Sequence, residues 1–148
     1  MGRIDTRLTQ LGFVLPPPKP PVADYVGCKQ TGPLLFVSAL VSEMRGAAGA
    51  DVDTDAAAQA AESTVLGLLA IIRDHLGNLD RVVSVDKMIG FVRSAPTFTE
   101  QPRVVDGASR VLVSVFGEVG RHARTATGVA QLPYGATVQL EMVLTVHG

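Results

Sequence analysis

The sequence predicts an α+β domain of two layers, in which two helices pack on one face of a mixed β-sheet. Segments with helical spacing of apolar residues alternate with strand-like segments, in the order strand, helix, strand, helix, strand, strand. The last segment, residues 136–146, alternates apolar and polar side chains, which is typical of a strand with one buried face. Of the 148 residues, 47% are hydrophobic and 18% are charged, so one domain has enough apolar material for a core. Helices that follow strands in this way pack on the sheet.

The N-terminal segment, residues 1–21, is predicted to be a short helix followed by an extended arm. Apolar residues at positions 4, 8 and 11 have helical spacing. The run PPPKPP at residues 16–21 favours polyproline geometry, because proline cannot continue a helix. We interpret the arm as a spacer that ties the helix to a single domain formed by residues 22–148. The alternative is a docking site for a proline-binding partner.

The first strand and helix of that domain follow next. Residues 34–41 form a short apolar run that predicts a buried strand, and residues 25–31 are expected to pair with it as a hairpin arm. Asp53 or Asp55 is predicted to cap the helix that follows, and Gly77 to end it. Its apolar positions are 58, 61, 65, 68, 72 and 76.

A second strand and helix complete the repeating pattern. Residues 82–92 have the β-branched and apolar content of a strand. The spacing of apolar residues over 98–115 predicts a helix, with Pro102 tolerated only near its first turn. With both helices on one face, the other face of the sheet needs a cover. A copy of the same chain would supply it, so we predict a homo-oligomer.

The C-terminal strand is predicted to form a hairpin with residues 124–132 through a turn at residues 133–135. If that loop holds an even number of residues, Arg124 and Ala126 share a sheet face with Glu141, away from the helices. An odd loop or a bulge would break this relation. An arginine offers a two-point fork to a carboxylate, and a neighbouring glutamate could hold a water or exchange protons. The alternative is an exposed ion pair worth less than about 1 kcal/mol.

Charge and cysteine content exclude several classes of function. The 13 Lys+Arg and 14 Asp+Glu residues give a net charge of −1, which disfavours nucleic-acid binding through phosphates. The single cysteine, Cys28, cannot form an internal disulfide, and we expect an inert side chain there rather than a reactive thiol. No signal peptide is visible, and the longest apolar run, residues 65–72, is far shorter than the roughly 20 residues of a bilayer span. We expect a cytoplasmic protein without nucleic-acid or membrane partners.

Five short sequence motifs, spread over residues 22–147, match those of one known protein family. They read LLFVSA at 34–39, LLAII at 68–72, KMIGFV at 87–92, GRHARTATGVAQLP at 120–133 and VQLEM at 138–142. Together these segments resemble the RidA/YjgF family, also called the L-PSP endoribonuclease or translation inhibitor family, in a divergent subgroup.

The resemblance implies a chorismate mutase-like fold, assembled as a homotrimer with clefts between subunits. It implies hydrolytic deamination of a small carboxylate, a 2-imino or 2-enamino acid, to a 2-oxo acid and ammonia, without metal or cofactor. In that scheme Arg124 binds the substrate carboxylate, while Glu141 and the backbone of Ala126 hold the attacking water. The other positions implied to bind substrate are Tyr25, Ser38, Ala39 and Asp106.

The chain departs from the family pattern at three places, and the first of them favours a competing hypothesis. Residues 38–40 read SAL where the family usually has Ser-Gly-Gln, Asp106 stands where asparagine is common, and Ala126 replaces a frequent cysteine. The competing hypothesis is a non-catalytic trimeric protein that binds small carboxylate metabolites. A ribonuclease, which the older family names suggest, is disfavoured because the chain has no histidine pair or basic stripe. Arg121 and His122 are expected to be exposed.

Overall fold

A five-stranded sheet underlies the fold of residues 2–148, the part of the chain that the computed structural model describes. The strands are β1 (Cys28–Thr31), β2 (Leu34–Val41), β3 (Val82–Arg93), β4 (Ala123–Val129) and β5 (Val138–Val146). The helices are α1 (Arg3–Leu11), α2 (Thr54–Leu76) and α3 (Gln101–Phe116). The sheet order is β1-β2-β5-β3-β4, in which β4 runs parallel to β3 and the other pairs are antiparallel. The predicted mixed sheet is confirmed, as is the pairing of β1 with β2.

Helices α2 and α3 pack on one face of the sheet, as predicted. Gly107 on α3 allows close packing, because a Cβ built there would lie 2.1 Å from the carbonyl oxygen of Ala58 on α2. By length and composition α2 could cross a bilayer, but half of that stretch is buried within the fold, as in the core helix of a globular domain. Side chains buried between the two layers include Leu68, Leu69, Ile72, Met88, Leu112, Leu140 and Leu144.

The third helix, α1, is fastened to the body of the fold at its N-terminus. The Asp80 carboxylate accepts hydrogen bonds from the backbone N–H groups of Arg3, at 2.9 Å, and Ile4, at 2.8 Å. These are donors that the first turn of a helix leaves without an intrahelical partner. The proline-rich segment 16–21 that follows α1 is exposed throughout, and Lys19 forms an ion pair with Glu43 at 3.0 Å.

The ends of the two packed helices follow local chemistry. Asp53 is the N-cap of α2 and accepts a hydrogen bond from a backbone N–H, while Asp55 lies in the first turn. The predicted start of the second helix at residue 98 is wrong, because Phe98 follows a turn, with its N–H bonded to the carbonyl oxygen of Ala95, and α3 begins at Gln101. Pro102 therefore falls in the first helical turn. Backbone N–H groups there have no intrahelical acceptor, so the N–H that proline lacks costs the helix no hydrogen bond.

The predicted hairpin between β4 and β5 is wrong. β3 lies between these strands and pairs with both, parallel to β4 and antiparallel to β5. The chain reaches β4 from β3 through α3, the kind of helical crossover that parallel neighbours require. The alternation in β5 identifies its buried side chains correctly, but a periodic pattern does not specify which strand lies beside it.

The face of the sheet opposite the helices is open in the single chain. On this face Leu34 and Phe36 of β2 keep 37% and 43% of their surface exposed. Apolar side chains of this size on a flat sheet face are typical of a surface that binds another chain. A homo-oligomer that covers this face stays a prediction.

Candidate functional site

Arg124 lies on the edge strand β4, and its side chain points to the helix layer. It is in register with Met88 of β3, which is in register with Met142 of β5, and both methionines are buried beneath the helices. From α3, Asp106 accepts a hydrogen bond from Nη1 of Arg124 at 2.7 Å, and Ser109 accepts one from the same nitrogen at 3.2 Å. The Arg124 side chain is 22% exposed, so its guanidinium is partly withdrawn from water but still reachable.

The hydrogen bonds of Arg124 leave one edge of its guanidinium unoccupied. Of the five N–H donors of an arginine, both on Nη1 bind α3 side chains, and Nη2 donates to the carbonyl oxygen of Pro102 at 3.4 Å. Nothing within residues 2–148 accepts a hydrogen bond from Nε. The remaining donors, on Nε and Nη2, lie along the same edge and match the two oxygens of a carboxylate.

The hydrogen bonds continue from Ser109 to His122. The Oγ atom of Ser109 lies 2.9 Å from Nε2 of His122, and Nδ1 of His122 lies 2.8 Å from the carbonyl oxygen of Gly120. A carbonyl only accepts, so Nδ1 carries the proton, and in the neutral ring Nε2 accepts from the Ser109 hydroxyl. The prediction that His122 is exposed is therefore wrong, because its ring is partly buried in this network, whereas Arg121 is exposed as predicted.

Charges around Arg124 are nearly balanced within the chain. Asp106 pairs with Arg124 itself. One turn earlier on α3, Arg103 pairs with Glu100 at 2.9 Å, and hydrogen bonds from Arg103 and then Thr54 hold the pKa of Glu100 below its usual value. The site therefore offers oriented N–H donors but little net positive charge to an incoming anion.

Glu141 lies on the opposite face of the sheet from Arg124, so the predicted sharing of a face is wrong. Glu141 of β5 is in register with Ile89 of β3, and Ile89 with Thr125 of β4. This row alternates with the row that contains Arg124. The reason is that β3 lies between β4 and β5. The faces on which Arg124 and Glu141 lie therefore depend on how β3 pairs with each of these strands, and not on the length of the turn at residues 133–135.

The remaining predicted substrate-binding residues lie toward the opposite edge of the sheet, at β1 and β2. Ser38 and Ala39 form a bulge in β2, and the Ser38 hydroxyl donates to the carbonyl oxygen of Val26 at 2.6 Å. Tyr25, just before β1, is 45% exposed. Strands β2 and β4 are three strand spacings apart, or about 14 Å. One chain therefore brings Arg124, Ala126 and Asp106 together, but not Tyr25, Ser38, Ala39 or Glu141 with them.

A cavity of about 490 Å³ lies away from Arg124, between the proline-rich arm, the end of β2 and α2. Neither Arg124 nor Glu141 lines it. Residues 2–148 contain no group of three or more His, Cys, Asp or Glu side chains placed to hold a metal ion. The cavity is lined by residues that include Val14, Pro17, Leu40, Met44, Gln59 and Leu66.

Ser109 and His122 are the two residues at Arg124 that the sequence analysis missed. Ser109 lies three residues after Asp106, the spacing that places two side chains on one face of a helix. His122 lies two residues before Arg124, the spacing that places two side chains on one face of a strand. Both spacings can be read from the sequence. Only the packing of α3 against β4 shows that the helix face with Ser109 contacts the strand face with His122 and Arg124.

Comparison with known proteins gives a matching family and full-length relatives. The family model described as "YjgF/chorismate_mutase-like, putative endoribonuclease" matches residues 24–145. Protein TCP17 of Trypanosoma cruzi is 40% identical over 153 aligned residues, which cover 99% of this chain and 96% of that protein.

Two crystal structures of bacterial proteins resemble this chain over nearly its whole length. Protein Atu1372 of Agrobacterium tumefaciens, described as having unknown function, superposes with a TM-score of 0.91 at 39% identity, covering 97% of this chain and 92% of that one. A putative endoribonuclease of Shewanella oneidensis superposes with a TM-score of 0.93, covering 98% and 100% of the two chains. Its identity is 23%, so that similarity concerns the fold alone.

Proposed function

The chain belongs to the YjgF/chorismate mutase-like family, as the RidA/YjgF resemblance predicted, and from that premise we propose that it hydrolyses 2-imino and 2-enamino acids to 2-oxo acids and ammonia. The observation that carries the proposal is the unoccupied edge of Arg124. Two parallel N–H donors, on a guanidinium that Asp106 and Ser109 already hold in place, suit the carboxylate of a small acid. Such an anchor orients the reacting carbon, which is a large part of what a hydrolytic site must do.

The chemistry requires only water and proton transfers. Water adds to the C2 carbon of the protonated imine while Glu141 accepts one of its protons. Glu141 returns that proton to the amino nitrogen of the carbinolamine, the C–N bond breaks as the C=O bond forms, and the hydroxyl proton passes to the departing ammonia, so that a 2-oxo acid and ammonium remain. A 2-enamino acid enters the same route once a proton from water has been added at C3. The role of Glu141 is to hold and deprotonate the water, together with the backbone of Ala126 on the edge strand.

The proposed site is a cleft between copies of the chain in a homotrimer. Arg124 and Glu141 of one chain face opposite sides of the sheet, so we assign the Glu141 that acts with a given Arg124 to a neighbouring copy. The neighbour would also supply the residues that lie far from Arg124 within one chain. A closed ring gives every subunit the same two contributing surfaces, one with Arg124 and one with the open face. The neighbour's other contributions are Tyr25, Ser38 and Ala39.

The first experiment follows imine hydrolysis directly. An amino-acid oxidase generates 2-imino acids in the presence of semicarbazide, and the rate of semicarbazone formation is recorded with and without the protein. We expect wild type to suppress semicarbazone formation and Arg124→Ala to lose the suppression. Arg110→Ala, which changes an exposed arginine on α3, is the matched control and should behave as wild type. Absence of suppression by a folded, trimeric wild type would refute the deaminase.

A second experiment tests the division of the site between copies. Arg124→Ala and Glu141→Ala should each be inactive, and a mixture refolded together should regain activity. Random assembly at equal amounts should restore about a quarter of wild-type turnover, because each site then draws one residue from each of two neighbours. A mixture as inactive as its components would place both residues of a site in one chain. Light scattering of wild type gives the number of copies.

A non-catalytic carboxylate-binding protein is the alternative function. Two observations favour it. The Ser38 hydroxyl is already committed to the carbonyl oxygen of Val26, and Asp106 balances the charge of Arg124. Calorimetric binding of 2-oxobutanoate by a wild type that fails to suppress semicarbazone formation would select this alternative.

A further inference from the structure

The hydrogen-bonded pair of Ser109 and His122 adjoins Arg124 on the side away from its unoccupied edge. The pair lies within a continuous series of bonds that starts at a backbone carbonyl. The Gly120 carbonyl fixes the ring of His122, Nε2 of that ring accepts from Ser109, and Oγ of Ser109 accepts from Nη1 of Arg124. Each member has its donor and acceptor roles set by the member before it.

Asp106 alone would leave Arg124 a degree of freedom. The short bond from Nη1 to one carboxylate oxygen lets the guanidinium turn about that contact, and the bond from Nη2 to the Pro102 carbonyl, at 3.4 Å, is long. A second acceptor on the same nitrogen, Oγ of Ser109, fixes the plane of the group. A serine hydroxyl by itself rotates, but its hydrogen bond to Nε2 of His122 fixes the O–H direction and thereby keeps an oxygen lone pair directed at Arg124.

We propose that Ser109 and His122 are positioning residues, which hold Arg124 so that its Nε edge faces the ligand and binds a carboxylate at two points. This inference rests on the proposed role of Arg124 as the carboxylate anchor, but it does not depend on turnover. It gives the site a preference for a planar carboxylate over an uncharged amide of the same shape. His122 acts only through Ser109, so the two residues form one functional unit.

The experiment measures affinity for a matched pair of ligands by calorimetry on the assembled protein. The ligands are 2-oxobutanoate and its amide, 2-oxobutanamide. Ser109→Ala and His122→Ala should each weaken binding of the acid about tenfold, the effect of one hydrogen bond to a charged group, and should leave binding of the amide unchanged. Ser109→Thr keeps a hydroxyl and His122→Gln keeps an acceptor near Nε2, so both should restore most of the affinity.

A double-mutant cycle separates positioning from general destabilisation. Because His122 acts through Ser109, adding His122→Ala to Ser109→Ala should cause no further loss. Ser114→Ala, an exposed serine on the same helix, and His75→Gln, an exposed histidine at the end of α2, are the matched controls and should leave both affinities unchanged.

Several results would overturn the proposal. They are an unchanged affinity for the acid in Ser109→Ala, equal losses for acid and amide, or additive losses in the double variant. A wild type that has no affinity for the acid would overturn it as well. A wild type that binds the acid, shows these losses and yet hydrolyses no imine would support the positioning role and refute the deaminase. Full imine hydrolysis by both alanine variants would refute positioning and leave the deaminase standing.

Discussion

Arg124 and Asp106 form an ion pair between the edge strand β4 and helix α3, with Nη1 and Oδ1 2.7 Å apart. The carboxylate of Asp106 balances the positive charge of Arg124, so the pair offers a second carboxylate hydrogen-bond donors but little net charge. Asp106 therefore has two opposing effects on ligand binding: it orients the guanidinium of Arg124, and its negative charge repels anions. The family resemblance places asparagine at this position more often, and asparagine would orient without repelling.

Asp106→Asn is expected to tighten the binding of 2-oxobutanoate about fivefold. The substitution removes the repulsion between two carboxylates, whose free energy is comparable to that of a partly exposed ion pair. The amide oxygen can still accept from Nη1. Calorimetry on wild type and variant measures the effect. Asp74→Asn, an exposed carboxylate on α2, is the control and should leave the affinity unchanged. Weaker binding by Asp106→Asn would mean that Asp106 serves orientation alone.

Arg124→Lys is expected to lower imine hydrolysis about 100-fold, although it keeps the positive charge. Lysine has one point of attachment and cannot replace two charge-assisted hydrogen bonds. The semicarbazone assay measures the loss, and Arg110→Lys provides the control at an exposed position on α3. Wild-type turnover by Arg124→Lys would show that charge suffices and that the fork is not used.

Asp80→Ala should loosen α1 in a pH-dependent manner. The backbone N–H groups of Ile4 and then Arg3 lower the pKa of Asp80 from its usual 3.8. A carboxyl group with a lowered pKa in the folded state stabilises the fold above its unfolded pKa, and this contribution is lost as pH falls through the folded pKa. The free energy of unfolding in urea should therefore differ between wild type and variant at about pH 6, and this difference should shrink at about pH 3.

The control for Asp80 is Asp24→Ala, which removes an exposed carboxylate between the proline-rich arm and β1. It should leave the stability unchanged at both pH values. A difference between wild type and Asp80→Ala that stays constant with pH would show that packing, rather than the ionised carboxylate, holds α1.

Gly107→Ala is expected to destabilise the fold by about 3 kcal/mol, because the added methyl group meets backbone rather than a side chain that could turn away. The built Cβ lies 2.1 Å from the carbonyl oxygen of Ala58, so α2 and α3 must separate. Urea denaturation measures the loss, with Ser114→Ala as the control on the exposed side of α3. Unchanged stability would contradict the close packing of the helices.

Cys28 should react slowly with thiol reagents in the native protein. Burial, and then the negative charge of Asp74, raise the pKa of its thiol to about 11, so the nucleophilic thiolate is scarce at neutral pH. Labelling should be slow in buffer and fast in urea, which exposes the side chain. Asp74→Asn should speed native labelling slightly. Rapid labelling of the native wild type would instead support the reactive thiol that we considered as the alternative.

The sequence identified the helices and strands because each carries its own period, but it did not identify the neighbours of the strands. β5 alternates so regularly that its buried side is unambiguous, yet the same alternation suits a partner in β4 or in β3. The predicted relation of Arg124 to Glu141 depended on that choice and failed with it. Ser109 was missed for a related reason, since its role arises only where α3 packs beside β4.

The position of β5 has a consequence for how the protein is made. β5 is the last strand of the sheet to leave the ribosome, yet it lies in the middle, between β2 and β3. Until residue 145 is available to pair with residue 34, β1–β2 and β3–β4 are two separate ribbons with no strand to join them. Such ribbons expose the edges and apolar faces that later become core. We therefore expect the nascent chain to be prone to association until β5 has been synthesised, and the five-stranded sheet to form only after β5 has left the ribosome.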